Sequence, residues 1–304
     1  MEHKTRIINF EDIPASTNTF VVMSNLIINM DKMFDFLPIT DYIIVPKKRG
    51  RKKKIQTVDP NKDIKEGSII TIKFGNNIRG VVLKKRKKNK NSDYSYFRNS
   101  MTVIMIIEDK MINFKISRNG KFQMTGCRNI IQAEKCIKYI WEYIKDNNTI
   151  FSIPKNENFT SLFIPAMRNI DFNLGFPLNR EKLDEYINNN TLYYSLFETS
   201  IGYTGVNIKI PILKPIKELQ ISELVYEDEK WNESKLVSYE KYLNNLKPKE
   251  KEKKLEQKRY NTFLVFHSGK VIMTSMCSEY AKDTYYEFIN LIYKNKDKFI
   301  EKLE

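Results

Sequence analysis

A chain of 304 residues, 41% hydrophobic and 29% charged, is long enough to bury a sizeable core, and its net charge of +15 points away from acidic partners. Three cysteines (Cys127, Cys136, Cys277) without C-x-x-C spacing and two histidines (His3, His267) exclude a structural zinc centre, which needs about four soft ligands in tight pairs, and an unpaired thiol count suits a reducing compartment. The longest uninterrupted apolar run, Val103 to Ile107, is far too short to span a bilayer, so the chain reads as soluble and intracellular, with no membrane partner.

Residues 1–16 carry no periodicity and read as a flexible N-terminal arm. A strand is predicted over Phe20 to Ile28 and a short helix over Asp31 to Leu37, stopped by Pro38. Residues 41–66 are polar and basic and read as a disordered insertion. Ser68 to Phe74 and Ile78 to Leu83 bracket Gly75-Asn76-Asn77, a hairpin signal. Met101 to Ile107, Met111 to Ile116 and Lys121 to Thr125 follow as three strands. The spacing of Ile130, Ala133, Ile137, Ile140, Trp141 and Ile144 then predicts an amphipathic helix capped by Asn129.

Asn147 to Asn158 reads as a linker, with 151–158 as its core. The plan then repeats. A strand is predicted over Leu162 to Phe172 and a helix capped by Asn179. Strands follow at Ser200 to Ile212, Thr262 to Phe266 and Val271 to Met276, and a last helix runs over Glu279 to Tyr293 with Ser278 as cap. Between these strands lies a charged insertion, about 214–259, whose Lys247 to Arg259 part alternates in sign like a solvated helix.

The duplication is carried by short markers. Arg118-Asn119-Gly120-Lys121-Phe122-Gln123-Met124-Thr125 returns as His267-Ser268-Gly269-Lys270-Val271-Ile272-Met273-Thr274, 149 positions later. Ser24-Asn25-Leu26-Ile27 pairs with Arg168-Asn169-Ile170-Asp171 at an offset of 144. Most repeats have periods of about 20–50 residues, so this is a half-domain used twice: 17–150 with a basic insertion at about 41–96, and 159–304. Strand, helix, several strands and helix in each half indicate an α+β layer, an antiparallel sheet with helices on one face.

Charge is concentrated rather than spread. Lys47, Lys48, Arg49, Arg51, Lys52, Lys53 and Lys54 form one run, and Lys84, Lys85, Arg86, Lys87, Lys88 and Lys90 another; together they supply thirteen of the net fifteen charges. Two acid-free runs flanking one short hairpin favour a polyanion, most simply nucleic acid, over plain solvated loops.

With these residues in hand, the chain resembles the TATA-box-binding protein (TBP) family. Phe263-Leu264-Val265-Phe266-His267-Ser268-Gly269-Lys270-Val271-Ile272-Met273-Thr274 is similar to that family's I-F-x-S-G-K-x-V-x-T block. Arg168-Asn169-Ile170 with Phe176-Pro177-Leu178 resembles its Q-N-I-V followed by F-P-I. The long insertions and the abundance of Lys, Asn and Ile resemble the TBP-like proteins of giant DNA viruses, which places the chain in a host nucleus, viral factory or virion if it is viral. The resemblance implies a saddle: two pseudo-symmetric repeats forming one curved antiparallel sheet, helices on the convex face, the concave face on the DNA minor groove. It implies a general transcription factor that binds AT-rich promoter DNA and recruits a TFIIB-like factor and RNA polymerase, without cofactor, metal or small-molecule substrate.

By that resemblance Asn25 and Asn169 are the central minor-groove amides, Thr125 and Thr274 the flanking hydroxyls, and Ile27 and Ile272 the apolar groove-facing residues. Lys121 and Lys270 lie near phosphates, and Tyr203 and Phe266 are the rings that wedge between base steps. The basic runs, Lys47, Lys48, Arg49, Arg51, Lys52, Lys84, Lys85 and Arg86 above all, add phosphate contacts; the first is also similar to an AT-hook and to a nuclear-localisation signal. In the first repeat the wedge positions fall on Ser117 and Ser100, while Gln123 and Asp171 replace apolar groove residues, which predicts a single kink. An alternative is an architectural or protein-interaction module of the same fold with unselective DNA binding through its basic loops. No P-loop, H-E-x-x-H or G-x-S-x-G occurs, so no enzyme is expected.

Overall fold

A computed structural model describes residues 8–45, 60–83, 99–198 and 204–301. In chain order these form β1 (Ala15–Ser24), β2 (Ile27–Ile28), α1 (Met30–Phe36), β3 (Ile69–Phe74), β4 (Asn77–Gly80), β5 (Ser100–Ile107), β6 (Lys110–Ser117), β7 (Lys121–Cys127), α2 (Ile130–Ile144) and β8 (Phe151–Ser152). There follow β9 (Phe159–Asn173), α3 (Arg180–Asn190), β10 (Tyr194–Leu196), β11 (Gly205–Pro211), β12 (Gln220–Glu227), β13 (Lys230–Trp231) and β14 (Lys235–Ser238). The chain closes with α4 (Tyr239–Asn244), α5 (Pro248–Glu256), β15 (Tyr260–Phe266), β16 (Lys270–Ser275) and α6 (Ser278–Lys294). It divides into an amino-half unit, Phe20–Phe163 with Glu223–Lys235, and a carboxy-half unit, Met1–Thr19 with Ile164–Ser222 and Leu236–Glu304.

In the amino-half unit, β7, β6, β5, β3 and β4 lie side by side, every pair antiparallel. Successive strand residues point to opposite faces, so Met101, Val103, Met105 and Ile107 of β5, and Ile112, Phe114 and Ile116 of β6, all turn to one side. There they bury against Met33 and Phe34 of α1 and Ala133, Cys136, Ile137, Ile140 and Ile144 of α2. The carboxy-half unit repeats the arrangement with β10, β11, β15, β16 and β9, again antiparallel throughout. Its core joins Ile170, Phe172, Ile208, Phe263, Val265 and Met273 to Leu183 and Ile187 of α3 and Tyr285, Phe288 and Ile292 of α6. Phe263 stacks on Phe288 at 4.0 Å and 11°.

The shared signature hairpin is the organising device in both units. Ser24 N–H donates to Gly120 O (3.0 Å) and Ile28 N–H to Arg118 O (2.8 Å); Leu174 N–H donates to Gly269 O (2.9 Å) and Leu178 N–H to His267 O (2.9 Å). A third bond is matched too: Asn29 N–H to Ile150 O (2.7 Å), and Asn179 N–H to Phe299 O (2.8 Å). Each of these asparagines then caps a helix, Asn29 accepting from Lys32 N–H and Asn179 from Lys182 N–H. Every corresponding pair is 149 or 150 positions apart.

Glycine is required at the turn of each hairpin. Gly120 and Gly269 have φ of +67° and +79°, and a Cβ would lie 2.5 Å from Leu26 O in one and 2.3 Å from Phe176 O in the other. Neither backbone carbonyl can give way, so Gly120→Ala and Gly269→Ala are each expected to destabilise the protein by about 2 kcal/mol or more. Thermal unfolding checks this; an unchanged Tm for both would show the hairpins to be less constrained.

Several sequence expectations are corrected. The 144-residue marker is misaligned: the matched positions put Asn169 opposite Thr19, not Asn25, because the bonds that define the repeat run at 149–150. Within the expected loose arm, Phe10 and Ile13 are buried in the carboxy-half core, Tyr285 Oη donates to Ile8 O and Lys282 pairs with Glu11. The expected linker holds buried Ile150 and the strand β8, which pairs with β2. Of the insertion read as disordered, residues 41–45 and 60–66 are described, and the side-chain amide of Asn61 both accepts from Ile43 N–H and donates to Ile43 O. The last helix begins one residue early, with Cys277 rather than Ser278 at its cap.

The largest correction concerns 214–259. Its residues 223–235 belong to the amino-half unit, where Tyr226 and Trp231 join Trp141, Phe151 and Phe159 in one aromatic cluster with ring centroids 4.5–5.6 Å apart. Ser234 Oγ donates to Glu134 Oε1 on α2, and Lys138 of α2 and Lys145, its C-cap, lie over the Trp231 and Tyr226 rings. Tyr239, Tyr242 and Leu243 of α4 are also buried. Only α5 matches the solvated reading, with no buried residue.

Candidate nucleic-acid interface

Helices cover one face of each sheet, so the strand residues of opposite parity are the candidates for function. In the carboxy-half unit the cross-strand register places Leu196, Asn207, Leu264, Ile272 and Asp171 in one row. The next row is Tyr194, Lys209, Thr262, Thr274 and Asn169. At the strand ends Gly205 faces Phe266 and Lys270 faces Asn173. Leu196, Tyr194 and Asp171 are exposed; Leu264, Ile272, Thr274, Asn169 and Phe266 are partly exposed. None of these side chains belongs to the buried core. Thr274 Oγ1 donates to Asn169 Oδ1 at 2.9 Å, which orients the amide so that its NH₂ group remains to donate elsewhere. Asn207 Oδ1 is buried without a hydrogen-bond partner, an unmet acceptor between Leu196 and Leu264 in the row.

The corresponding face of the amino-half unit is more polar. One row reads Ile78, Lys73, Thr102, Lys115 and Gln123, the next Gly80, Thr71, Ile104, Asn113 and Thr125. At the strand ends Ser100 faces Ser117. Thr125 is exposed and donates to Asn113 O at 3.1 Å; Gln123 and Lys121 are exposed beside it.

The sequence-predicted residues therefore separate. Asn169, Phe266, Ile272, Thr274 and Lys270 gather on one face of the carboxy-half unit, and Thr125 and Lys121 lie on the corresponding face of the other. Asn25 does not join them. It sits in the bend after β1, where its NH₂ donates to Glu157 Oε2 and Asn158 O and its Oδ1 accepts from Thr160 N–H. With every polar position used in fixing that loop, it has no strand face to present. Ile27 is 60% exposed but lies on the short β2–β8 ladder rather than on the sheet. Tyr203 and the basic residues Lys47, Lys48, Arg49, Arg51, Lys52, Lys84, Lys85 and Arg86 lie outside the described residues.

Asn207, Leu264, Thr262, Lys209 and Tyr194 were missed. Alternation along Tyr260 to Phe266 marks Thr262 and Leu264 as facing away from Phe263 and Val265, so periodicity alone could have found those two. Lys209 over the Tyr194 ring at 5.6 Å could not be found that way, because β10 is a three-residue strand without its own signal.

The thiols carry no chemistry on these faces. Burial pushes Cys127 up to about 11 and raises Cys136 and Cys277 as well, which keeps all three protonated and poorly nucleophilic. Arg168 points to the helix side of β9, where burial lowers its pKa and its guanidinium lies 6.0 Å over the Phe10 ring. Among the described residues no group of three or more His, Cys, Asp or Glu could hold a metal ion, and no helix is long and apolar enough to cross a membrane.

No protein-family model matches the chain. Comparison with curated proteins finds a TATA-box-binding protein-like protein of Acanthamoeba polyphaga mimivirus, 28% identical over 174 residues, covering 48% of this chain and 47% of that one. The chain is thus similar to a TBP-like protein of a giant virus. It is also 26% identical over 215 residues to uncharacterized protein 335L of Invertebrate iridescent virus 6, covering 68% of this chain and 64% of the relative. It therefore matches less than two thirds of the length of either. Among solved structures, the Methanococcus jannaschii TBP covers 93% of this chain and 98% of its own, at 12% identity and a TM-score of 0.46.

Proposed function

We propose that this chain is a TBP-like transcription factor that lays its uncovered β-faces along the minor groove of AT-rich promoter duplex and bends it, with a TFIIB-like factor and RNA polymerase as the partners it recruits. In this reading the two units, built on the same bonds 149–150 residues apart, are the pseudo-symmetric halves of a saddle. The observation that carries it is the carboxy-half face. An oriented amide (Asn169 held by Thr274) lies in the row next to the one holding Ile272 and Leu264, with the Phe266 ring at the strand end. A shallow apolar surface with a few donors suits a groove floor that presents only acceptors at A·T pairs and an added donor at G·C pairs. A ring at the strand end supplies a wedge for kinking. The chemistry needed is recognition alone, in keeping with thiols raised out of reactive range.

The test is binding of the full chain to AT-rich and GC-rich duplexes of equal length, with end-to-end fluorescence transfer reporting bend. Tighter binding and bending on the AT-rich duplex are expected; equal affinity and a straight duplex would reject the reading. The runner-up, an architectural module with unselective DNA affinity, draws support from Ser100 facing Ser117 where the other unit has Phe266. It would prevail if deletion of 41–66 and 84–96 abolished binding altogether.

A further inference from the structure

One group on the carboxy-half face does not suit a surface made for A·T pairs alone. Asp171 stands on the uncovered side of β9, while its neighbours Ile170 and Phe172 are turned into the core. It is exposed, faces Ile272 across the strand pair, and has no hydrogen bond or ion pair among the described residues. Lys270, the nearest cation by register, faces Asn173 at the next position of that side and forms no ion pair with it. Lys209, the other cation of the face, lies over the Tyr194 ring, three strands away. The surrounding side chains of Ile272, Thr274 and Asn169 are all partly exposed, so the carboxylate opens to solvent. Two residues back on the same side, Asn169 has the opposite chemistry: Thr274 occupies its Oδ1, and its NH₂ group is left to donate. One strand thus presents a donor and an acceptor at adjacent positions of one face.

The floor of the minor groove offers only acceptors, adenine N3 and thymine O2, at an A·T pair; the guanine N2 amine is its one kind of donor. An ionised carboxylate can only accept. Over an A·T pair it would set lone pairs against lone pairs and lose its hydration without replacement. Over a G·C pair it gains a charge-assisted bond from the amine. Phosphates are no alternative partner, since they carry charge of the same sign. We infer, resting on the function proposed above, that Asp171 is a specificity-determining residue whose carboxylate accepts from the N2 amine of a guanine. The AT-rich element bound by this chain therefore contains a G·C pair at that position. Discrimination works in both directions: the amine is bound where it is present, and acceptor against acceptor rejects a pair that lacks it.

The experiment uses the full chain and AT-rich duplexes through which a single G·C pair is stepped, each compared with the same duplex carrying inosine for that guanine. Inosine lacks the N2 amine and leaves the major groove unchanged, so each comparison isolates the donor on the groove floor. At one position guanine should be bound tighter than inosine by roughly 10- to 150-fold, the range for a hydrogen bond to a charged group. Asp171→Val should abolish that difference and still bind the inosine duplex. Its Tm should stay at the wild-type value, because the side chain it replaces is exposed and unpaired. The inference is overturned if the wild-type chain binds and bends AT-rich duplex but prefers guanine to inosine at no position, or if the valine variant keeps the preference. The first of these results leaves the proposed function standing. A wild-type chain that binds no duplex would instead reject that function, and the inference would fall with it.

Discussion

Replacing Phe266 by alanine should straighten the bound duplex and weaken AT-rich binding by roughly 5- to 150-fold, the equivalent of about 1–3 kcal/mol for one aromatic ring stacked on a base. The reason lies in where the ring stands. Phe266 ends β15 on the uncovered face, opposite Gly205, and contributes nothing to the cluster in which its neighbours Phe263 and Val265 are fully buried. Removing a ring from that position should leave Tm within about a degree or two, since substitutions away from core features usually change stability by about 0.5 kcal/mol or less. Binding and bend are read together by anisotropy and fluorescence transfer, and stability by thermal unfolding. Retained bending at wild-type affinity would remove Phe266 from the recognition surface; a large loss of Tm would mark it as a core residue.

The second large effect is expected at Trp141. Its ring is 6% exposed and lies 4.5 Å from Phe159, 5.1 Å from Phe151 and 5.4 Å from Tyr226, so truncation removes the centre of the aromatic cluster. Its indole N–H is buried without a partner, so the variant forfeits no hydrogen bond and the whole cost is packing. Trp141→Ala should destabilise the amino-half unit by about 3–5 kcal/mol, and Trp141→Phe by clearly less. The chain has only two tryptophans, so in either variant Trp231 becomes the sole indole fluorophore and reports on the hairpin made by β12 and β13. A red-shifted Trp231 emission in Trp141→Ala, at temperatures where the wild-type chain is folded, is the expected sign that this segment has come away from α2. Wild-type emission and wild-type Tm would show the cluster to be dispensable.

Sequence patterning reached most of the regular structure because its signals are local. The helix Ile130–Ile144 was readable from its apolar stripe, Asn179 from its capping position, and the turn after Phe74 from Gly75-Asn76. The signature hairpins were readable as repeats, with a glycine whose positive φ the chain cannot do without. Local signals misled where a residue's role depends on distant partners. Asn25 and Asn169 look alike as short polar motifs, yet one is consumed by Glu157, Asn158 and Thr160 while the other pairs with Thr274 on a strand face. Phe10 and Ile13 show no periodicity because a single 3-10 turn and its cap have none, and only distant parts of the chain, α6 and β9, make them core.

Consecutive residues, then, already carried which strands alternate, which glycines and asparagines fix the turns and caps, and where positive charge is concentrated. Those properties follow from steric limits on single residues and from periodicities of two and 3.6, which are written in consecutive positions. Tertiary structure alone decided that matched backbone bonds of the two units recur 149–150 positions apart, that residues 223–235 complete the core of the amino-half unit, and that the sheet faces away from the helices are unlike, one with Phe266 and Ile272, the other carrying Lys73 and Lys115. Strand register and packing join residues far apart in the chain, and no local pattern encodes which of them will meet.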